Sequence, residues 1–178
     1  MQVTRFDPQN VSILTFVENA ADATIQGAEG DIIYKPNENL TLFGAFSVNS
    51  TELKSVYGKA VELAPVGSQL PLTPSHQISL RARYDWFMDN GWNAYVQGAI
   101  QTAASRYSSV VAVKRVEQDS YTLLDASVGA VKDSWKVELF AENLSDERAE
   151  LFINDQDDTM RVATNRPFTL SLRVSYDL

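Results

Sequence analysis

The chain has 178 residues, no cysteine and a formal net charge of −8 at pH 7. The acidic balance argues against a nucleic-acid partner, because phosphate binding needs a basic surface, and the absence of cysteine excludes disulfides, thiolate nucleophiles and thiolate metal sites. Apolar residues make up 44% of the sequence, as in a globular protein, but no stretch reaches the roughly 20 consecutive apolar residues of a transmembrane helix.

The predicted elements are β-strands, because hydrophobicity alternates with a period of two along most of the chain. Eight strands are predicted, at residues 11–18, 22–34, 39–49, 75–87, 92–102, 121–131, 135–143 and 166–177. No convincing helix and no interdomain linker appear. The first ten residues lack the apolar run of a signal peptide, so we expect either an intracellular protein or a longer precursor whose N-terminal part is missing.

From the second predicted strand onward, short and long connections alternate; only the short link at 19–21, before that strand, breaks the pattern. Short turns rich in Pro, Asn, Asp and Gly occur at 35–38, 88–91 and 132–134. Long connections occur at 50–74, 103–120 and 144–165. Short turns at one end of an antiparallel up-and-down sheet and long loops at the other are typical of an outer-membrane β-barrel.

Each of the last six predicted strands has one face without charged residues. The final strand contributes to this face Phe168, Leu170, Leu172, Val174, Tyr176 and Leu178. The opposite faces carry Arg81, Arg83, Asp85, Asp125, Lys136, Glu138, Glu142, Arg173 and Asp177. A lipid-facing surface excludes charge in this way, but a soluble ligand-carrying barrel shows the same alternation with its apolar side inward.

Aromatic residues distinguish these two alternatives. Near the short-turn end, the apolar face carries Tyr34, Tyr84, Trp86, Trp92, Trp135 and Tyr176. Trp and Tyr prefer the membrane–water interface, whereas so many large rings would crowd one end of a small closed barrel. The sequence therefore favours an all-β, antiparallel up-and-down transmembrane β-barrel with these six residues as a membrane-interface girdle.

Few residues carry reactive chemistry. His76 is the only histidine, and no Ser or Cys is placed to make it a convincing general base, so no catalytic residue is predicted. The acidic segment 154–158 does not follow the spacing of a helix–loop–helix calcium site, and no metal or cofactor site is predicted. Arg106 and Tyr107 lie at a loop base where a ligand could meet them, but no substrate-binding residue can be assigned.

Four segments, in order, resemble landmarks of the TonB-dependent outer-membrane receptors. They are the hairpin at 23–53 with its "LTLFGAF" strand, the "LPLTP" segment and strand at 67–86, the hairpin at 121–150, and the closing strand "NRPFTLSLRVSYDL". The third segment ends on an "NLxDxR" motif at Asn143, Leu144, Asp146 and Arg148. The family usually ends on an aromatic residue, where this chain has Leu178.

The resemblance implies energy-coupled uptake of a scarce ligand, such as a ferric siderophore, across the outer membrane of a Gram-negative bacterium. Such receptors have about 22 strands, so residues 1–178 are expected to be the C-terminal segment of the barrel, without the plug domain. The implied partners are outer-membrane lipid, the TonB protein through the missing N-terminal part, and the barrel-assembly machinery through the last strand. Two alternatives stay open: a soluble lipocalin-like carrier, and a small self-contained outer-membrane barrel.

Overall fold

The structure is a computed structural model that describes residues 2–6, 15–19, 21–58, 63–154 and 159–177. The first half of the strand predicted at 11–18, most of the acidic segment 154–158, and Leu178 lie outside the described residues.

The described residues form thirteen β-strands, and every strand pair is antiparallel. They are β1 (Gln2–Phe6), β2 (Thr15–Asn19), β3 (Ala23–Tyr34), β4 (Leu40–Leu53), β5 (His76–Phe87), β6 (Asn93–Ala103), β7 (Arg106–Tyr107), β8 (Glu117–Gln118), β9 (Tyr121–Lys132), β10 (Trp135–Glu142), β11 (Glu150–Asn154), β12 (Arg161–Thr164) and β13 (Thr169–Tyr176). A short 3-10 helix spans Ala112–Lys114.

Seven strands form the main sheet, in the order β3-β4-β5-β6-β9-β10-β13. Chain neighbours are sheet neighbours throughout, apart from the short hairpins within the long connections, so the up-and-down prediction is confirmed. The sheet is open, with β3 and β13 at its edges. Seven of the eight predicted strands are these seven. The remaining one overlaps β2, which pairs with β1 in a separate two-stranded sheet.

The long connections contain more structure than the sequence indicated. Strands β7 and β8 pair within the second connection, and β11 and β12 pair within the third. Strand β4 also continues to Leu53, four residues beyond its predicted end. These short or polar segments do not show the alternation of apolar and polar residues from which a strand can be predicted.

The short turns are shaped by residues that tolerate unusual backbone angles or bond to the backbone. Gly91 and Asp133 have positive φ angles of 83° and 50°, a region that glycine and aspartate enter at low cost. Asn37 accepts hydrogen bonds through its side-chain oxygen from the backbone N–H groups of Asn39 and Leu40, at 3.0 and 2.9 Å. These backbone angles and hydrogen bonds allow the chain to reverse its direction within a few residues.

Within the paired strands, the register places the predicted apolar positions on one face of the sheet. One row of directly opposed residues crosses six strands as Leu42, Ala82, Gly98, Ala126, Ala141 and Leu170. The register also assigns the facing of β3, because its Tyr34 and Ile32 lie opposite Leu42 and Gly44. We call this side the apolar face and the other, which carries the charged residues, the polar face.

On the polar face, Tyr95 lies across Gly129 and reaches the next strand. Its hydroxyl donates a hydrogen bond to Glu138 Oε1 at 2.5 Å. On its other side, the Arg83 guanidinium stacks 3.7 Å from the ring centroid and bonds to Asp85. A Cβ at Gly129 would lie only 2.5 to 2.7 Å from three atoms of the Tyr95 side chain, so glycine is needed for this packing.

We expect Gly129→Ala to destabilise the fold by about 1–3 kcal/mol, because the added methyl must displace the Tyr95 ring and break its bond to Glu138. Gly98→Ala is the matched control, because a Cβ at Gly98 on the apolar face meets nothing within 4 Å. Its free energy of unfolding should change by no more than about 0.5 kcal/mol. Denaturant unfolding of the full gene product measures both, and equal losses would contradict the packing described.

Candidate functional site

The three long connections lie at one end of the main sheet. They are the first loop (54–75), the second loop (104–120) and the third loop (143–168), and together we call them the loop cap. Within the described residues, the second loop contacts both the first loop and the third loop. The second loop is therefore the central member of the cap.

An apolar cluster joins the first and second loops. Leu53 and Ala64 are fully buried, and Leu70 and Val110 are nearly so. Leu70 is the first leucine of the "LPLTP" segment, so the motif supplies a buried anchor at the base of the first loop. Because apolar burial is the main favourable term in folding, this cluster fixes the first loop against the second.

Backbone hydrogen bonds strengthen the same junction. The Leu72 N–H donates to the Tyr107 carbonyl at 2.8 Å, and the Ala112 N–H donates to the Leu63 carbonyl at 3.0 Å. Within the first loop, Tyr57 and Ala64 form an isolated antiparallel bridge. The two loops thus share a backbone network as well as an apolar cluster.

Two buried polar side chains join the second loop to the third. Arg106 donates from Nη2 to the carbonyls of Glu150 and Leu151, at 2.9 and 3.2 Å. Gln118 is fully buried and donates from Nε2 to the same Glu150 carbonyl at 2.9 Å. The position of Arg106 at a loop base suggested contact with a ligand, but its side chain is buried and bonded within the cap.

The "NLxDxR" motif anchors the base of the third loop. Buried Asn143 donates from Nδ2 to the carbonyls of Glu147 and Arg166, both at 2.9 Å, and its Oδ1 accepts from the Glu147 N–H. Asp146 accepts from the Phe168 N–H at 2.8 Å. These bonds connect the start of the loop to its end, just before β13. The motif therefore has a structural role, which could not be inferred from its residue types alone.

Below the cap, the polar face forms an acidic hollow of about 250 Å³. Its polar lining consists of Gln97, Asp125, Ser127, Glu138, Glu142 and Arg173. Arg173 and Lys136 approach Glu138 at 3.4 and 3.8 Å, so that carboxylate is shared between cations. The polar face is thus suited to contact water or other charged groups.

The six aromatic residues predicted for the girdle lie near the short-turn end. Trp135 lies directly opposite Tyr176, with ring centroids 4.9 Å apart, and the Tyr84 and Trp86 rings are 6.1 Å apart. Tyr34 lies on the apolar face at the end of β3. Trp92 immediately precedes β6, where its carbonyl accepts from the Met88 N–H at 2.8 Å.

The remaining candidates show no reactive arrangement. His76 is exposed, with Nδ1 3.3 Å from the hydroxyl oxygen of Ser75. Tyr107 stacks against Arg115, whose guanidinium lies 3.6 Å from the ring centroid. Among the described residues, no group of three or more His, Asp or Glu side chains is placed to hold a metal ion. None of the helical residues described forms a segment long and apolar enough to cross a membrane.

A family model described as "TonB dependent receptor-like, beta-barrel" matches residues 1–144. The chain belongs to this family of TonB-dependent receptor barrels. A search of curated proteins finds no match. The family resemblance inferred from the four segments is thereby confirmed, and of the two barrel types considered, the membrane barrel is the correct one.

Solved receptors for ferric compounds share the fold at low sequence identity. The ferric yersiniabactin uptake receptor FyuA of Yersinia pestis has a TM-score of 0.76 and 15% identity, over 92% of this chain and 25% of its own. The ferric preacinetobactin receptor BauA of Acinetobacter baumannii has a TM-score of 0.72 and 21% identity, over 99% and 26%. The ferric-catecholate import receptor Fiu of E. coli has 0.71 and 20%, over 97% and 23%. The chain spans about a quarter of each.

In this barrel family the apolar face contacts lipid, so we expect Val96→Arg to be costly. Val96 lies between Tyr84 and Val128 on that face, four residues from the predicted girdle residue Trp92, and a cation near the bilayer midplane costs about 2–4 kcal/mol. Gln101→Arg, on the polar face of the same strand, should change the free energy of unfolding by no more than about 0.5 kcal/mol. Denaturant unfolding in lipid vesicles compares them, and similar losses in both variants would argue against lipid contact at Val96.

Proposed function

We propose that this chain is the C-terminal part of the barrel of an outer-membrane receptor that imports a ferric siderophore. The observation that carries this proposal is the loop cap, in which three loops are fixed together above a polar sheet face. A cap of this kind suits ligand capture, because binding residues are commonly carried on loops positioned by a rigid scaffold. The charged polar face below it suits the interior of a transport barrel.

The ligand class rests on the solved receptors of similar fold. Three of them are receptors for ferric yersiniabactin, ferric preacinetobactin and ferric catecholates. We infer that this protein binds a ligand of the same chemical class, a ferric ion enclosed by an organic chelator. Its selectivity would come from the loop cap, because the barrel strands face lipid on one side and the lumen on the other.

The remaining functional proposals concern parts of the receptor outside this chain. A plug domain and the segment that contacts the TonB protein would lie N-terminal to residue 1. The barrel-assembly machinery would recognise the final strand, which contains β13. Reading the DNA upstream of Met1 tests this arrangement, because an in-frame plug and further strands are expected, whereas a small self-contained barrel would need neither.

Deletion of the gene should abolish growth on one ferric siderophore. The wild type and the deletion strain would be grown under iron limitation with ferric yersiniabactin, ferric preacinetobactin, a ferric catecholate or haem as the iron source. We expect loss of growth with one siderophore, normal growth with haem, and the same siderophore defect in a strain without TonB. Equal growth of both strains on every siderophore, or a defect confined to haem, would refute the ligand class.

The proposed girdle places Trp135 at the membrane–water interface. The full gene product and its Trp135→Phe variant would be reconstituted in vesicles. The difference between their fluorescence intensities gives the signal of Trp135 alone. Lipids brominated near the headgroup should quench that signal more strongly than lipids brominated near the chain end. Stronger quenching by the deep bromines would place Trp135 in the hydrocarbon core and contradict the girdle.

A further inference from the structure

Arg106 and Gln118 occupy directly opposed positions of the β7–β8 hairpin. Arg106 is 6% exposed and Gln118 is 0% exposed. Both side chains donate to one acceptor, the carbonyl of Glu150 at the start of β11. Two buried donors from one hairpin therefore bond to a single carbonyl of the third loop. In sequence, this carbonyl lies 44 residues from Arg106 and 32 residues from Gln118.

The acceptor site is created by an irregularity in the β11–β12 hairpin. The register shifts between Glu150 and Phe152, so Leu151 has no direct partner on β12. A bulge of this kind interrupts the local ladder and leaves backbone groups without their usual partners. Arg106 bonds to the Leu151 carbonyl as well as to that of Glu150, and so satisfies acceptors at the bulge itself.

The charge of Arg106 is balanced by backbone dipoles and an aromatic ring. In the described part of the chain no carboxylate forms an ion pair with it, and its guanidinium lies 5.6 Å from the Tyr121 ring centroid. Hydrogen bonds from charged donors contribute more than neutral ones, and removing Arg106 takes a hydrogen-bond donor from two backbone carbonyls at the bulge. Separation of the second and third loops would therefore be strongly opposed.

We propose that Arg106 and Gln118 form a latch that makes the second and third loops move as one unit. The first loop is held to the second by its own apolar cluster and backbone bonds, so the latch completes a cap of three coupled loops. In this arrangement the third loop opens only when the bonds to the bulge break. The proposal goes beyond ligand uptake and does not depend on which ligand the receptor binds.

Amide hydrogen exchange of the full gene product in detergent tests the latch without any ligand. Arg106→Met and Gln118→Met remove the donors while keeping long side chains. We expect exchange in β11 and β12 to become about tenfold faster in each variant, since local opening would no longer break these bonds. Exchange in the main sheet should stay unchanged.

Arg115→Met is the matched control, because Arg115 is a cation of the same loop that stacks on Tyr107 and has no bond to β11. Exchange in β11 and β12 should equal that of the wild type. If Arg106→Met fails to fold, Gln118→Met carries the test, and Arg106→Lys, which keeps the charge, should give an intermediate rate.

The double variant distinguishes a shared latch from two independent contacts. Because both donors use the Glu150 carbonyl, the combined acceleration should fall well short of the product of the two single effects. The proposal would be overturned if β11 and β12 exchanged at the wild-type rate in the single variants. It would also be overturned if the acceleration in the double variant equalled the product of the two single accelerations.

Discussion

The backbone hydrogen bonds between neighbouring strands are the constraint on which the rest of this structure depends. Inside a membrane no water can satisfy exposed N–H and C=O groups, so a sheet must pair every strand with its neighbours. Pairing fixes the register, and the register fixes the face of every side chain, because a shift of one residue would exchange the two faces. The row from Leu42 to Leu170 stays on one side across six strands for this reason. The same constraint places Tyr95, Gly129 and Glu138 in line on the other side.

This constraint also explains where the buried residues lie. A sheet with lipid on one face and the lumen on the other has little interior of its own, and its close packing is confined to places such as Tyr95 over Gly129. The loop cap is different, because it contains the fully buried Ala64 and Gln118. The cap therefore behaves as a small globular unit carried on the sheet. Its order comes from an apolar cluster and side-chain-to-backbone bonds.

Sequence patterns predicted the sheet well and the cap poorly, and the reason is physical. Alternation of apolar and polar residues over 8 to 14 residues, as in β10 and β4, can be recognised from the local sequence alone. Strands β7 and β8 have only two residues each, too few to show any period. The burial of Arg106 depends on a bulge 44 residues later, and the role of Asn143 depends on the Arg166 carbonyl. Such bonds join distant segments and leave no local pattern, although the "NLxDxR" motif marked one of them.

The low identity to solved receptors follows from the same division between sheet and cap. Lipid requires only that a side chain be apolar, and a β-ladder is made by backbone groups that every residue except proline supplies. Many sequences meet these demands, so the fold can be shared at TM-scores of 0.71 to 0.76 while identity is only 15 to 21%. The residues whose identity is tightly constrained are those with specific partners: Gly129 beneath Tyr95, Asn143 at the loop base, and Arg106 on the β11 bulge. Two of these three belong to the cap, where side chains bond to distant backbone groups, so side-chain identity matters most at that end of the sheet.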